Sequence, residues 1–126
     1  MLSTTQFSFI LKPSEHGVGV FAVHAIAKGT ELRLFAGKGK EDDKIWKKEE
    51  VPKLFQDYCI EKKDHLVGPQ DFGCMSLGWY VNHSKNPNAA LRSEQFYAIR
   101  DILEGEEILI DYNSLGEPEE AKEEYY

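Results

Sequence analysis

None of the strand-like runs in this chain is followed by the long amphipathic stretch that a parallel βαβ unit needs, and this constrains the fold more than any other feature of the sequence. Residues 7–11, 18–23 and 31–35 read as strands, because apolar and β-branched residues fall in short runs separated by glycine-containing turns. His24-Ala-Ile-Ala-Lys-Gly29 is too short for a crossover helix, and the polar, glycine-broken segment 37–44 reads as a loop. Around Pro52, the residues Val51, Leu54, Phe55 and Tyr58 recur at three- and four-residue intervals. That spacing predicts one short amphipathic helix ending before Gly68-Pro69. Segment 72–81 mixes glycine with aromatics, and 96–100 and 107–112 return to strand composition. No internal repeat is present. The expected class is mainly β, with small sheets joined by loops and few short helices, and a Rossmann sheet is disfavoured.

At 126 residues the chain has room for one domain with a modest core. That domain is expected over residues 1–116, followed by an acidic tail at 117–126 in which Tyr125 or Tyr126 could fold across the site. No basic-then-apolar leader and no bilayer-length apolar run is seen, so a soluble intracellular protein, cytoplasmic or nuclear, is expected. Cys59 and Cys74 stand alone, without a second pair at metal-binding spacing; they are expected to be ordinary buried thiols, with no zinc site. The formal charge of −7, from 22 acidic and 15 basic side chains, argues against a grip on nucleic acid and favours a basic protein or peptide partner. The charge-rich stretch 38–63 alternates signs and reads as a solvated face. A homodimer stays open.

Three polar constellations stand out. Gly17-Val-Gly19 lacks the third glycine of a dinucleotide fingerprint, so it is either a tight hairpin or a place where backbone approaches a bulky ligand. Asn82-His83-Ser84 and Asn86-Pro87-Asn88 read as consecutive polar turns. They are nonetheless wedged between the apolar Trp79-Tyr-Val81 and Ala89-Ala-Leu91, which aims polar groups inward. Tyr112 closes Glu107-Ile-Leu-Ile-Asp-Tyr as a sheet aromatic or as a phenol facing a reaction centre. Asp111 would then alternate away from it on an extended strand and serve structure.

Taken in order, His16-Gly-Val-Gly-Val-Phe-Ala22, Trp79-Tyr-Val-Asn-His-Ser-Lys-Asn-Pro-Asn88 and Gly105-Glu-Glu-Ile-Leu-Ile-Asp-Tyr112 resemble the signature motifs of the SET-domain protein lysine methyltransferases. The resemblance implies the SET fold, with small curved sheets and a C-terminal segment threaded beneath a loop. It implies S-adenosylmethionine as cofactor, with Gly17, Val18, Gly19, Tyr80, Asn82 and His83 on the cofactor side and Tyr112 as the catalytic tyrosine. Tyr58, Phe72, Tyr97, Ile110 and Tyr112 become candidates for the channel that receives the target lysine, with core packing as the plainer reading of the aromatics. A histone tail is one admissible substrate among lysine-bearing proteins.

Two departures from the family pattern matter. Trp79 stands where arginine is common, so packing must replace a charged contact. Ile110 stands where an aromatic residue often limits the number of methyl groups. The cysteine-rich zinc segment that completes many family channels has no counterpart here. The alternative reading is a catalytically silent SET-like protein that keeps a cofactor or peptide groove.

Overall fold

The computed structural model describes residues 2–15, 17–35, 43–93 and 95–114. In chain order its strands are β1 (Phe9–Ser14), β2 (Gly17–Ala22), β3 (Glu31–Leu32), β4 (Asp43–Trp46), β5 (Ile60–Glu61), β6 (Leu66–Pro69), β7 (Asn82–His83), β8 (Ala89–Arg92), β9 (Gln95–Ala98) and β10 (Leu109–Ile110). One α-helical turn, α1 (Lys53–Gln56), and 3₁₀ turns at Lys48–Glu50, Leu77–Tyr80 and Tyr112–Ser114 complete it. These form four small sheets. β1 and β2 make an antiparallel hairpin, β3-β9-β8 and β4-β6-β5 are three-stranded, and β7 pairs with β10.

The core gathers short apolar runs from several of these sheets. Phe9, Val20, Ala22, Leu32, Ala89, Ala98 and Ile110 pack with Ile26, Leu34, Val81, Ile102 and Ile108, all within 8 % exposure. Each strand is too short to be stable alone, so burial of this shared cluster holds them together. The hairpin turns through Gly17 at φ 108°, a left-handed conformation that suits glycine.

Where structure and sequence reading part, local reasons are visible. The helix expected around Pro52 is one turn only; of the loop expected over 37–44, residues 37–42 lie outside the described residues and Asp43 and Lys44 open β4, while the charge-rich stretch 38–63 contributes β4 and β5 to the sheet β4-β6-β5. Gly68-Pro69, read as a stop, is part of β6: Pro69 pairs opposite Asp43 and its carbonyl accepts the Trp46 indole N–H at 3.0 Å. A Cβ on Gly68 would lie 2.7 Å from Cys59 Sγ, so the glycine is there to let the chain pass. Cys59 is only partly buried and Cys74 is exposed, against the expectation of buried thiols. The strand expected to Tyr112 stops at Ile110, and Tyr112 opens a 3₁₀ turn, so simple alternation does not separate it from Asp111.

The pairing that matters most for function is parallel. Leu109 lies opposite Asn82 and Ile110 opposite His83. Asn88, fully buried, holds the C-terminal segment there. Its Nδ2 donates to the Glu107 carbonyl at 2.7 Å and to Glu106 Oε2 at 3.2 Å, while its Oδ1 accepts the Leu109 amide at 2.8 Å. An asparagine read as a turn residue is thus a fully satisfied internal clamp.

Candidate functional site

A cavity of about 160 Å³ opens where β2, α1, the Leu77–Tyr80 turn and the start of β7 meet, walled by Val18, Leu54, Asp57, Tyr58, Trp79, Tyr80, Val81, Asn82 and Tyr112. Tyr58 and Tyr80 meet edge to face with centroids 5.4 Å apart. Asp57 adds a carboxylate to a wall otherwise rich in aromatic rings, a combination that suits a cationic group.

Beside the cavity, one carboxylate ties three parts of the chain together. Glu107 accepts from Asn82 Nδ2 at 2.7 Å and from Ser14 Oγ at 2.9 and 3.0 Å. Asn82 Nδ2 also reaches the Val18 carbonyl at 3.2 Å. Gly19 lies directly against this node: a Cβ there would collide with Glu107 Oε2 and stand 2.9 Å from its Cδ and 3.0 Å from Ser14 Cβ. Gly17 differs, since a Cβ there would meet nothing within 4 Å. One glycine admits an internal contact and the other forms the turn.

Tyr112 is held at two points. Its hydroxyl donates to the Val81 carbonyl at 2.6 Å and its amide donates to His83 Nδ1 at 3.0 Å. Burial pushes the phenol above its ordinary value, so the hydroxyl stays protonated and remains a donor at neutral pH. Asp111 Oδ1 accepts the Asn113 amide at 2.9 Å and lies 3.8 Å from His83 Nδ1.

Trp79, in place of the family's arginine, is buried and meets Phe35 edge-on at 5.5 Å. Phe35 is itself seated against Gly78, where any Cβ would strike its ring. The indole Nε1 is buried with no acceptor among the described residues. A donor left unpaired in the interior costs roughly 1–3 kcal/mol.

Of the residues singled out in the sequence, Val18, Tyr58, Tyr80, Asn82 and Tyr112 share the cavity wall; Gly19 and His83 stand beside it through the contacts above, and Gly17 opens β2 next to Val18. Three channel candidates lie elsewhere. Phe72 packs between Trp46 and Phe55, with centroids at 5.7 and 5.5 Å. Tyr97 sits in β9 between Glu31 and Ala90. Ile110 is in the core at 4 % exposure. His16 and the tail with Tyr125 and Tyr126 lie outside the described residues. Ser14, Glu107 and Asp57 escaped the sequence reading; an acid at the start of the apolar run 107–112 was the available signal for Glu107.

Small sheets joined by loops, with Asn82, Val18 and Tyr112 on one cavity, define a fold class that comparison names. The SET domain model matches residues 17–113, and the chain belongs to the SET-domain family. Among solved structures it is similar to a Plasmodium falciparum protein described as a candidate histone methyltransferase, at 27% identity and TM-score 0.56, covering 86% of this chain and 95% of that one. It also resembles ctPRC2 in an autoinhibited conformation bound to S-adenosylmethionine, at 20% identity and TM-score 0.58, over 87% of this chain. The Chaetomium thermophilum polycomb repressive complex 2 aligns at 21% identity and TM-score 0.57, over 89% of this chain. The chain spans only 16% and 15% of those two longer chains, and at such identities they speak for the fold alone. No curated protein sequence matches it.

Proposed function

We propose that this chain is a protein lysine methyltransferase that uses S-adenosylmethionine and acts on a lysine in a basic protein or peptide, a histone tail being one candidate. The observation that carries the reading is the parallel pairing of β7 with β10, which brings Asn82 and Tyr112 to one wall with Val18. Family membership and the likeness to a protein described as a candidate histone methyltransferase support it.

The residues present fit the cofactor. The side-chain oxygen of Asn82 and the carboxylate of Asp57 on the cavity wall offer acceptors to a ligand carrying an ammonium group, and the backbone at Gly17 is open to close approach. At about 160 Å³ the cavity is smaller than the roughly 300–1,000 Å³ of whole-ligand pockets, so the described residues would enclose only part of it. Bound there, S-adenosylmethionine supplies an electrophilic methyl group on a sulfonium.

The protein's own contribution is positioning and desolvation. A free lysine amine, with a pKa near 10.4, is mostly charged at neutral pH and must lose its proton before transfer; the rings of Tyr58 and Tyr80 would exclude water around it as it enters. Tyr112, kept protonated and pinned to the Val81 carbonyl, would steer the amine without acting as a full base. Calorimetric titration with S-adenosylmethionine and its demethylated product tests the cofactor. Saturable binding, weakened in Asn82→Ala by about 1–3 kcal/mol, is expected. A folded chain that binds neither at millimolar ligand is not a methyltransferase, and one that binds yet modifies no lysine in a protein library is a silent member.

A further inference from the structure

We propose that His83 is a positioning residue for Tyr112 and that gain of a proton at its Nδ1 atom releases the tyrosine. The inference rests on the reading of Tyr112 above for its catalytic meaning, while its structural part stands by itself.

The geometry fixes the proton count on the ring. Nδ1 accepts the Tyr112 amide hydrogen at 3.0 Å, so in the neutral imidazole the hydrogen is on Nε2. Tyr112 opens the 3₁₀ turn Tyr112–Ser114, and the first amides of such a turn have no partner within it. The ring nitrogen of His83 takes the place of the missing carbonyl. The two rings lie 5.1 Å apart between centroids, and the phenol continues past His83 to donate to the Val81 carbonyl at 2.6 Å. Tyr112 is therefore anchored at both ends of its length to the segment Val81–His83, and one anchor is a titratable atom.

Protonation removes the lone pair that the bond needs. Two donors, Nδ1–H and the Tyr112 N–H, would then face each other at 3.0 Å and must separate. The carboxylate of Asp111 stands 3.8 Å from Nδ1 and can accept its hydrogen, which draws the ring from the Tyr112 amide toward the side chain of the preceding residue. Among the described residues, the titratable groups facing the ring from β10 and the turn after it are Asp111 and the Tyr112 phenol; along its own segment the next is Lys85, whose side chain is exposed. The proton-free state holds Tyr112 by two bonds and the protonated state by one, which is a two-state element with the reacting tyrosine as its output.

A rate profile would be confounded by protonation of the lysine substrate, so the test reads the residues directly. Long-range ¹⁵N spectra of the full chain should give the Nε2–H tautomer for His83. On acidification the Tyr112 amide resonance should move together with the signals of the His83 ring, at one shared midpoint. In His83→Asn, whose side-chain oxygen can stand near the Nδ1 position but gains no proton, the Tyr112 amide should keep its hydrogen-bonded shift and stop responding to pH. An Nδ1–H tautomer, or a Tyr112 amide that ignores the His83 midpoint, overturns the proposal. If His83→Asn does not fold, the wild-type titration decides alone. No cofactor is needed, so absent S-adenosylmethionine binding would defeat the enzymatic reading and leave this one standing.

Discussion

Tyr112 is the residue on which two interpretations diverge most sharply. As a sheet aromatic it would contribute chiefly area; here its hydroxyl makes a 2.6 Å bond to a backbone carbonyl at the cavity wall. Tyr112→Phe should cost about 1 kcal/mol of stability, from the lost hydrogen bond. If the hydroxyl orients the reacting amine, single-turnover methylation should fall on the order of a hundredfold. Unchanged transfer with intact cofactor affinity would reduce Tyr112 to packing. At this scale the sequence was informative about identity and silent about partners. The types and order of Gly17, Asn82, His83 and Tyr112 were legible, yet nothing near Asn82 announced that its amide would be shared between Glu107 and the Val18 carbonyl. Phe72, Tyr97 and Ile110, named as channel candidates with core packing as the plainer reading of the aromatics, lie away from the cavity wall, since aromatic or apolar character cannot say which face a residue occupies.

Elements in this chain are short enough that single residues decide how they meet. β2 runs beside the C-terminal segment with Gly19 at the point of contact, where a side chain would press on Glu107 and Ser14. Gly19→Ala should therefore destabilise the protein by about 1–3 kcal/mol, measurable in denaturant unfolding, and weaken cofactor binding with it. A stability change near zero would mean the node relaxes freely. Glu106, one residue earlier than Glu107, secures the turn into β10. The Leu103 amide is the main influence holding its carboxyl below the ordinary glutamate range, aided by Asn88 and Arg100. A depressed folded-state value means this contribution is present at neutral pH and is lost as pH falls through that value. Glu106→Gln should lower stability at pH 7 and flatten the acid limb below about pH 4.3, as followed by circular dichroism. Strand composition predicted the hairpin and, of the sheet β3-β9-β8, the strands β3 and β9 in outline, but not β8. It missed β4-β6-β5, because glycine and proline in β6 serve close passage and edge pairing there, roles that look like breaks in a linear reading.

For the whole molecule, the charge of −7 bears on how a substrate arrives. Capture of a basic peptide under rate-limiting conditions should slow as salt rises, while turnover at saturation should change less. Neutralising lysines and arginines that flank the target one at a time would test this; indifference to both manipulations would make the acidity a solubility feature. The class of fold followed from missing crossover helices, but the parallel β7–β10 pair has no signature in periodicity, since only long-range packing creates it. Its polar lock spans the chain: Ser14 and Glu107 are 93 positions apart. Contacts of such separation carry a large loop-closure cost before they return any stabilisation. During synthesis, the hairpin and the β8–β9 pair can form from neighbouring sequence, but the cavity wall is incomplete until Glu107 has docked on Ser14 beside it and Tyr112 has emerged. Of these elements the one made last is thus the one that completes the cavity wall, and a nascent chain stalled before Glu107 would lack both the polar lock and Tyr112.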